Sequence, residues 1–208
     1  MRFGNARQCI HDAFATHMTT PDRLEAGGTR YNSDSAIAHQ AEAGLIIRAV
    51  LDQKPYLRGI CIFLNAPNGW AKEADIAAMK IRLWADFIRG QEIDPRVQGE
   101  MVAIFDRILI NYRRLCINPS AGDVYLGVDL ADALNRSHES YIATIATHQS
   151  RMMHIIARHD NASLQPVWKV VTEQQEKRRG VVVEPINPRT GEPYKDFRKK
   201  AEGSECAG

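Results

Sequence analysis

Apolar residues recur along this chain at three- and four-residue intervals, the spacing of one face of an α-helix. Ile10 and Phe14 mark a first short helix, Ala6 to Thr16. Pro21, Gly27, Gly28 and their polar neighbours then predict a loop. Ala36, Ile37, Ala41, Leu45, Ile46, Ala49 and Val50 predict a helix from about Ser35 to Asp52, with capping oxygens at Ser33, Asp34 and Ser35 and a stop at Lys54-Pro55. Tyr56 to Leu64 is too short for periodicity to separate helix from strand, and its helical surroundings favour helix. Asn65 to Gly69 reads as a turn. Ile76, Met79, Leu83, Trp84 and Phe87 predict a helix within Trp70 to Arg89, with Gly90 as its C-cap. Asp94-Pro95 is a helix start, because Asp accepts backbone N–H bonds and Pro needs no donor at the first helical position. Met101, Ile104, Phe105, Ile108, Leu109, Tyr112 and Leu115 carry that helix to about Cys116, where Arg113 and Arg114 suit the helix dipole.

After a break at Asn118 to Gly122 comes the stretch Val128 to Arg158. A short helix with Leu130, Ala131 and Leu134 meets a polar break, Asn135-Arg136-Ser137. A longer helix follows, with Ile142, Ile145, Met152 and Ile156 on one side. That is the outline of a helix-turn-helix. Asn161-Ala162-Ser163 then predicts the cap of a further helix, Leu164 to about Lys177. Beyond Gly180, Pro185, Pro188 and Pro193 with scattered charge predict an extended or disordered tail, with Val181 to Val183 as a possible short strand. The expected fold is mainly α: a multi-helix bundle with a C-terminal helix-turn-helix-like unit and an irregular basic tail. The expected divisions are 1–34, an N-terminal helix and loop; 35–117, a helical body; 118–179, the helix-turn-helix-like region; and 180–208, the tail.

The chain has 208 residues, 44% hydrophobic and 25% charged, which is ordinary for a globular protein. No apolar run is long enough for a transmembrane helix. The start is not expected to be a signal peptide, because His11 and Asp12 interrupt its apolar residues. Cys9, Cys61, Cys116 and Cys206 lie far apart, which argues against a zinc ribbon and suits reduced thiols in a cytoplasm. The formal net charge of +2 says little. Its distribution says more: Lys177, Arg178, Arg179, Arg189, Lys195 and Arg198 to Lys200 crowd the C-terminal end, as phosphate binding would need and as a solvated tail would also show.

Enzymatic motifs are missing: no phosphate loop, no dinucleotide fingerprint, no nucleophile elbow and no H-E-x-x-H pattern. His148, His154 and His159 are spaced by six and five residues, so one helix face would not present them together to a metal. His39 reads as a packed or half-exposed side chain. Asp129 and Asp132 could form a metal pair in a nuclease, but an acid complementing a helix N-terminus is the commoner arrangement. The expectation is therefore a non-enzymatic protein with no cofactor and no metal.

The helix pair carries the DNA reading. Ser137 can cap the second helix, whose first residues are polar, and those positions reach base edges in helix-turn-helix proteins. Asn135 replaces the usual turn glycine and tolerates a left-handed backbone. Arg136 stands where an apolar residue is usual and suggests a longer turn. Arg136, His138, Glu139 and Thr144 are the expected base-facing residues, followed by Gln149. Arg151, Lys169, Lys177, Arg178 and Arg179 are the expected phosphate contacts. The competing reading is an ordinary helical hairpin in a bundle.

The order PYLRGICIFLNAPNGW, KIRLWADF, FDRILINYRRL and LADALNRSHESYIATI resembles, over roughly Ala36 to Arg158, bacteriophage late-gene antiterminators of the Q type. The resemblance implies a DNA-binding transcription regulator in the cytoplasm of a bacterial host, with RNA polymerase as a second partner. Some members carry a zinc motif, and this sequence has none. A helical assembly protein, such as a small terminase-like packaging subunit, is the alternative.

Overall fold

The computed structural model describes residues 6–18, 33–117 and 126–178, and among them it is mainly helical with no strand. Its elements are α1 (Ala6–Met18), α2 (Ser33–Leu51), α3 (Pro55–Asn65), α4 (Glu73–Ile88), α5 (Pro95–Ile117), α6 (Leu126–Ala133), α7 (His138–Thr144) and α8 (Ala146–Arg178). The loop, the break near Pro119 and the tail with its candidate strand lie outside the described residues, as do the side chains of Ser33 to Asp34 and Ser35 to Ala38. The chain divides into two units, Met1–Val170 and Val171–Gly208. Of the second, only the end of α8 is described.

The helix boundaries follow the local chemistry. Asp94 accepts the Arg96 N–H through Oδ1 at 2.7 Å, and Pro95 opens α5 behind it. Gly90 adopts φ +72° just past α4, a conformation glycine reaches at no steric cost. The ambiguous stretch after Lys54 is a helix, α3, with Pro55 in its first turn. His39 is half-exposed beside Glu42.

One close approach sets the α3–α4 hairpin. A Cβ on Gly59 would lie 2.3 Å from the Asp75 carbonyl oxygen. Next to it, Arg58 grips the Asp75 carboxylate with two bonds, 2.8 Å from Nε and 2.7 Å from Nη2. A two-point guanidinium–carboxylate contact fixes orientation as well as distance. That bond holds the Asp75 carboxyl below its usual range, against the opposing effect of burial.

One core joins α3 to α8. Ile60 and Leu64 of α3, Met79, Leu83 and Phe87 of α4, and Met101, Ile104 and Ile108 of α5 pack with Leu130 and Ala131 of α6, Tyr141 of α7 and Met152 and Ile156 of α8. At another place Phe14 meets Trp70 edge to face, ring centres 4.9 Å apart.

α8 differs from its expectation. The sequence predicts a cap at Asn161 to Ser163 and a new helix after it, but the helix runs through both that site and Pro166. Three contacts explain this. Ser163 Oγ turns back to the Asp160 carbonyl at 2.8 Å, so its hydroxyl is used inside the helix and not as a cap. Gln53 Nε2 bonds the Ser163 carbonyl at 2.9 Å. Asp160 itself is fully buried and held by Arg7, with Tyr112 OH donating to Oδ2 at 3.0 Å. Pro166 removes one helical bond, and this anchoring outweighs the loss. Burial also keeps the nearby thiols protonated, raising Cys61 to about 12 and Cys116 to about 11, so neither is a ready nucleophile.

Gly59→Ala should lower the unfolding free energy by about 1–3 kcal/mol, because a backbone clash outweighs the gain of about 0.5–1 kcal/mol that alanine brings to a helix. Urea denaturation checks this, and a stabilised variant would contradict the close approach.

Candidate nucleic-acid interface

The α6–α7 connection is tightly made. Asn135 sits at φ +52°. Its N–H bonds the Asp132 carbonyl and the Arg136 N–H bonds the Ala131 carbonyl, both at 3.0 Å. These two bonds close a helix end in the pattern that follows a left-handed residue. Ser137 Oγ accepts the Ser140 N–H at 3.3 Å and caps α7. The connection is thus only 134–137, without the longer turn that Arg136 suggests. Leu130, Ala131, Tyr141 and Ile145 are buried beneath it. The second helix is also less regular than expected. It is interrupted at Ile145, where φ is −108° against about −63° for an ideal helix.

The candidate base-facing residues divide into two groups. His138 and Glu139 are exposed on α7. Arg136 is only 15% exposed, and its guanidinium bonds Glu100 of α5 at 2.6 Å, Thr144 Oγ1 at 2.9 Å and Ser140 Oγ at 3.1 Å. Thr144 also donates to the Ser140 carbonyl, and Gln149 accepts the Tyr141 hydroxyl at 2.6 Å. Arg136, Thr144 and Gln149 are therefore engaged within the fold. With Arg136 paired internally, the charges that α6 and α7 expose are Asp129, Asp132 and Glu139. This surface is acidic.

The cations lie further along. Between Ser140 and Thr172 the one acid in the sequence is Asp160, and it points inward. Thr147, Ser150, Arg151, His154, Ile155 and Arg158 line a groove of about 460 Å³ on α8. Lys169 is exposed further on. Arg151 lies over the Phe87 ring at 5.7 Å and donates to the Arg89 carbonyl at 3.2 Å, so α8 meets the end of α4 there. Lys177 is exposed in the second unit, while the Arg178 side chain and Arg179 lie outside the described residues.

At that meeting point sits Asp86, a buried carboxylate. His159 Nε2 lies 2.8 Å and Arg158 Nη2 3.1 Å from Oδ2; Arg82 and Arg89 approach Oδ1 at 3.4 and 3.6 Å. Burial alone would raise this carboxyl, but the His159 bond and the charges of Arg82 and Arg89 outweigh it and hold it below the usual carboxylate range. Arg82, Arg89 and Arg158 were not among the residues the sequence singled out. A signal was available: Arg82 and Arg89 are seven apart, as are Arg151 and Arg158, two turns along one helix face.

Asp129 and Asp132 border a different groove with Arg107, Ile110, Asn111 and Arg114. There Arg107 and Arg114 share the groove with the two carboxylates. Among the described residues no three histidine, cysteine or acidic side chains are placed to hold a metal. His148 packs against Phe87, His154 lines the α8 groove and His159 holds Asp86.

Arg136→Ala should lower stability by about 1–3 kcal/mol, since it leaves the half-buried Glu100 with only the looser contact to Arg96, 3.7 Å away. His138→Ala should change stability by less than about 0.5 kcal/mol. Equal effects in thermal melts would refute the internal role of Arg136. Lowered folded-state carboxyls at Asp75 and Asp86 stabilise the fold above the unfolded value of about 3.9, and that contribution disappears as pH falls through the folded values. Stability should therefore drop below about pH 4. The drop should be shallower in Asp86→Asn, as read by denaturant titration at stepped pH.

Comparison with protein-family models, with curated proteins and with solved structures finds no match to this chain.

Proposed function

We propose that this protein is a non-enzymatic regulator that binds duplex DNA, held chiefly through phosphates along α8 and reading the groove with the first turn of α7. One observation carries the reading: from Ala146 to Thr172 the outward face of α8 has no acid, and it continues from the α6–turn–α7 unit. Cations concentrated on one face are what a phosphate backbone requires. In this reading α6–α7 is a helix-turn-helix whose exposed His138 and Glu139 meet base edges. Arg151, Arg158 and Lys169 neutralise phosphates, and Arg136 holds the unit to α5. The resemblance to Q-type antiterminators extends the proposal to RNA polymerase as a second partner.

The alternative, a helical assembly protein, draws support from apolar side chains that point outward on α4 and α5, Ile81 at 70% and Ile117 at 69% exposure among them. Such residues suit contact with another protein surface.

Fluorescence anisotropy with a labelled duplex across a salt series tests the proposal. Affinity should fall steeply with salt, and Lys169→Gln should flatten the logarithmic slope by about one unit. His138→Ala should cost about 1–3 kcal/mol on a preferred site and less on random duplex. Salt-independent binding or none, together with ring formation in light scattering, would favour the assembly protein.

A further inference from the structure

The Asp86 cluster holds more positive charge than its carboxylate can balance. Arg82, Arg89 and Arg158 all reach within 4 Å of it, and His159 takes one of its oxygens. Arg151 stands nearby, bonded to the Arg89 carbonyl. Even with the histidine neutral, three arginines face one acid. Structural ion pairs are usually matched in number, as Arg7 and Asp160 are in this chain. A surplus of this kind carries mutual repulsion that a bound anion relieves.

The geometry agrees. Asp86 Oδ1 has no hydrogen-bond partner, so Arg82 and Arg89 stand near it without bonding it. The side chains of Arg89 and Arg158 are 68% and 66% exposed, and Arg158 donates one bond to Asp86. Their remaining donors face solvent. Asp86 thus acts as an organiser: it gathers guanidinium groups from two helices and leaves their outer edges open. The Arg158 side opens onto the α8 groove, next to His154 and Ile155.

We propose that the Arg82–Arg89–Arg158 cluster seated on Asp86 is a binding site for a single phosphate group. A tetrahedral phosphate offers several acceptor oxygens to converging guanidinium forks, whereas a carboxylate offers two and one charge. The phosphate can belong to a nucleic-acid strand or to a small anion. In the first case the site deepens the DNA reading above and rests on it; in the second it stands alone.

The test uses the full chain. Thermal melts and calorimetry compare inorganic phosphate with chloride at equal ionic strength, for the wild type, Arg89→Gln/Arg158→Gln, Arg158→Lys and the distant surface control Arg48→Gln. The same proteins are then titrated with duplex DNA. Expected is stabilisation by phosphate over chloride in the wild type and the control. The double variant should bind about tenfold more weakly or worse, and Arg158→Lys, which keeps the charge and loses the fork, should fall between. Parallel loss of duplex binding in the double variant, with or without an effect of free phosphate, assigns the site to nucleic-acid phosphate. Phosphate binding lost in that variant while duplex binding is unchanged or absent assigns it to a free anion. If phosphate and chloride act alike and the double variant binds duplex as the wild type does, the proposal is overturned, and duplex binding that still depends on His138 would leave the DNA reading standing without it.

Discussion

The placement of every residue on the cationic face depends on one buried carboxylate, Asp160. It lies at the middle of α8, fully buried, where Arg7 of α1 and Tyr112 of α5 hold it. Arg7 reaches on to Asn65 of α3 at 2.9 Å, so the same guanidinium ties α1 and α3 to the long helix. Burial opposes the charge on Arg7, but the bond and charge of Asp160 hold its pKa above the ordinary value. Burying a charged pair is costly, and removing one partner of such a pair is costlier still. The pair therefore fixes which side of α8 faces inward. At about 100° per residue, Lys169 and Arg151, nine positions to either side, lie about 180° around the helix from Asp160, and Arg158 about 160°. One inward acid and several outward cations are two consequences of the same rotation.

Asp160 and Asp86 are both buried carboxylates beside arginines, yet their surroundings differ in kind. Asp160 has one cation, a tyrosine hydroxyl and no exposure. Its charge is balanced and sealed, as suits a structural anchor. Asp86 has three arginines and a histidine, with the outer arginines reaching solvent. Its surroundings are over-supplied on one side. Sealing and matching mark a residue that holds the fold, and an open surplus marks one that can present its neighbours to something else.

Much of the fold is legible in the sequence, because much of it is set locally. Asp94-Pro95, Gly90, Asn135 and Ser137 each do what their own backbone chemistry dictates, and the apolar faces of α4 and α5 follow from spacing alone. The misreadings have one physical origin: a contact between distant segments overrode a local preference. Ser163 is a good capping residue, yet Gln53 and Asp160 engage it within a continuous helix. Gly59 carries no sign of its role in the sequence, because that role depends on Asp75 on the facing helix. Arg136 reads as base-facing from the sequence, and Glu100 draws it inward from 36 residues away. The cationic site suffers the same blindness, since Arg82 and Arg158 come together only in three dimensions. The absence of exposed acid from Ala146 to Thr172 is legible, but a net charge of +2 over the chain conceals it.

These charges also constrain how DNA could be approached in the proposed function. Asp129, Asp132 and Glu139 would repel phosphates if α6 lay against the backbone, as the first helix of a helix-turn-helix commonly does. Attraction would come from α8, so the duplex would be held along the long helix and only the start of α7 would enter a groove. Glu139 could then accept from a cytosine amino group, and His138 could meet a neighbouring edge. Two base contacts give modest discrimination, while phosphate contacts add affinity that is indifferent to sequence. A regulator built this way would need a second determinant of position. A polymerase already placed on its promoter would supply one, and the acidic face of α6, turned away from the DNA, would be free to meet a basic surface on it.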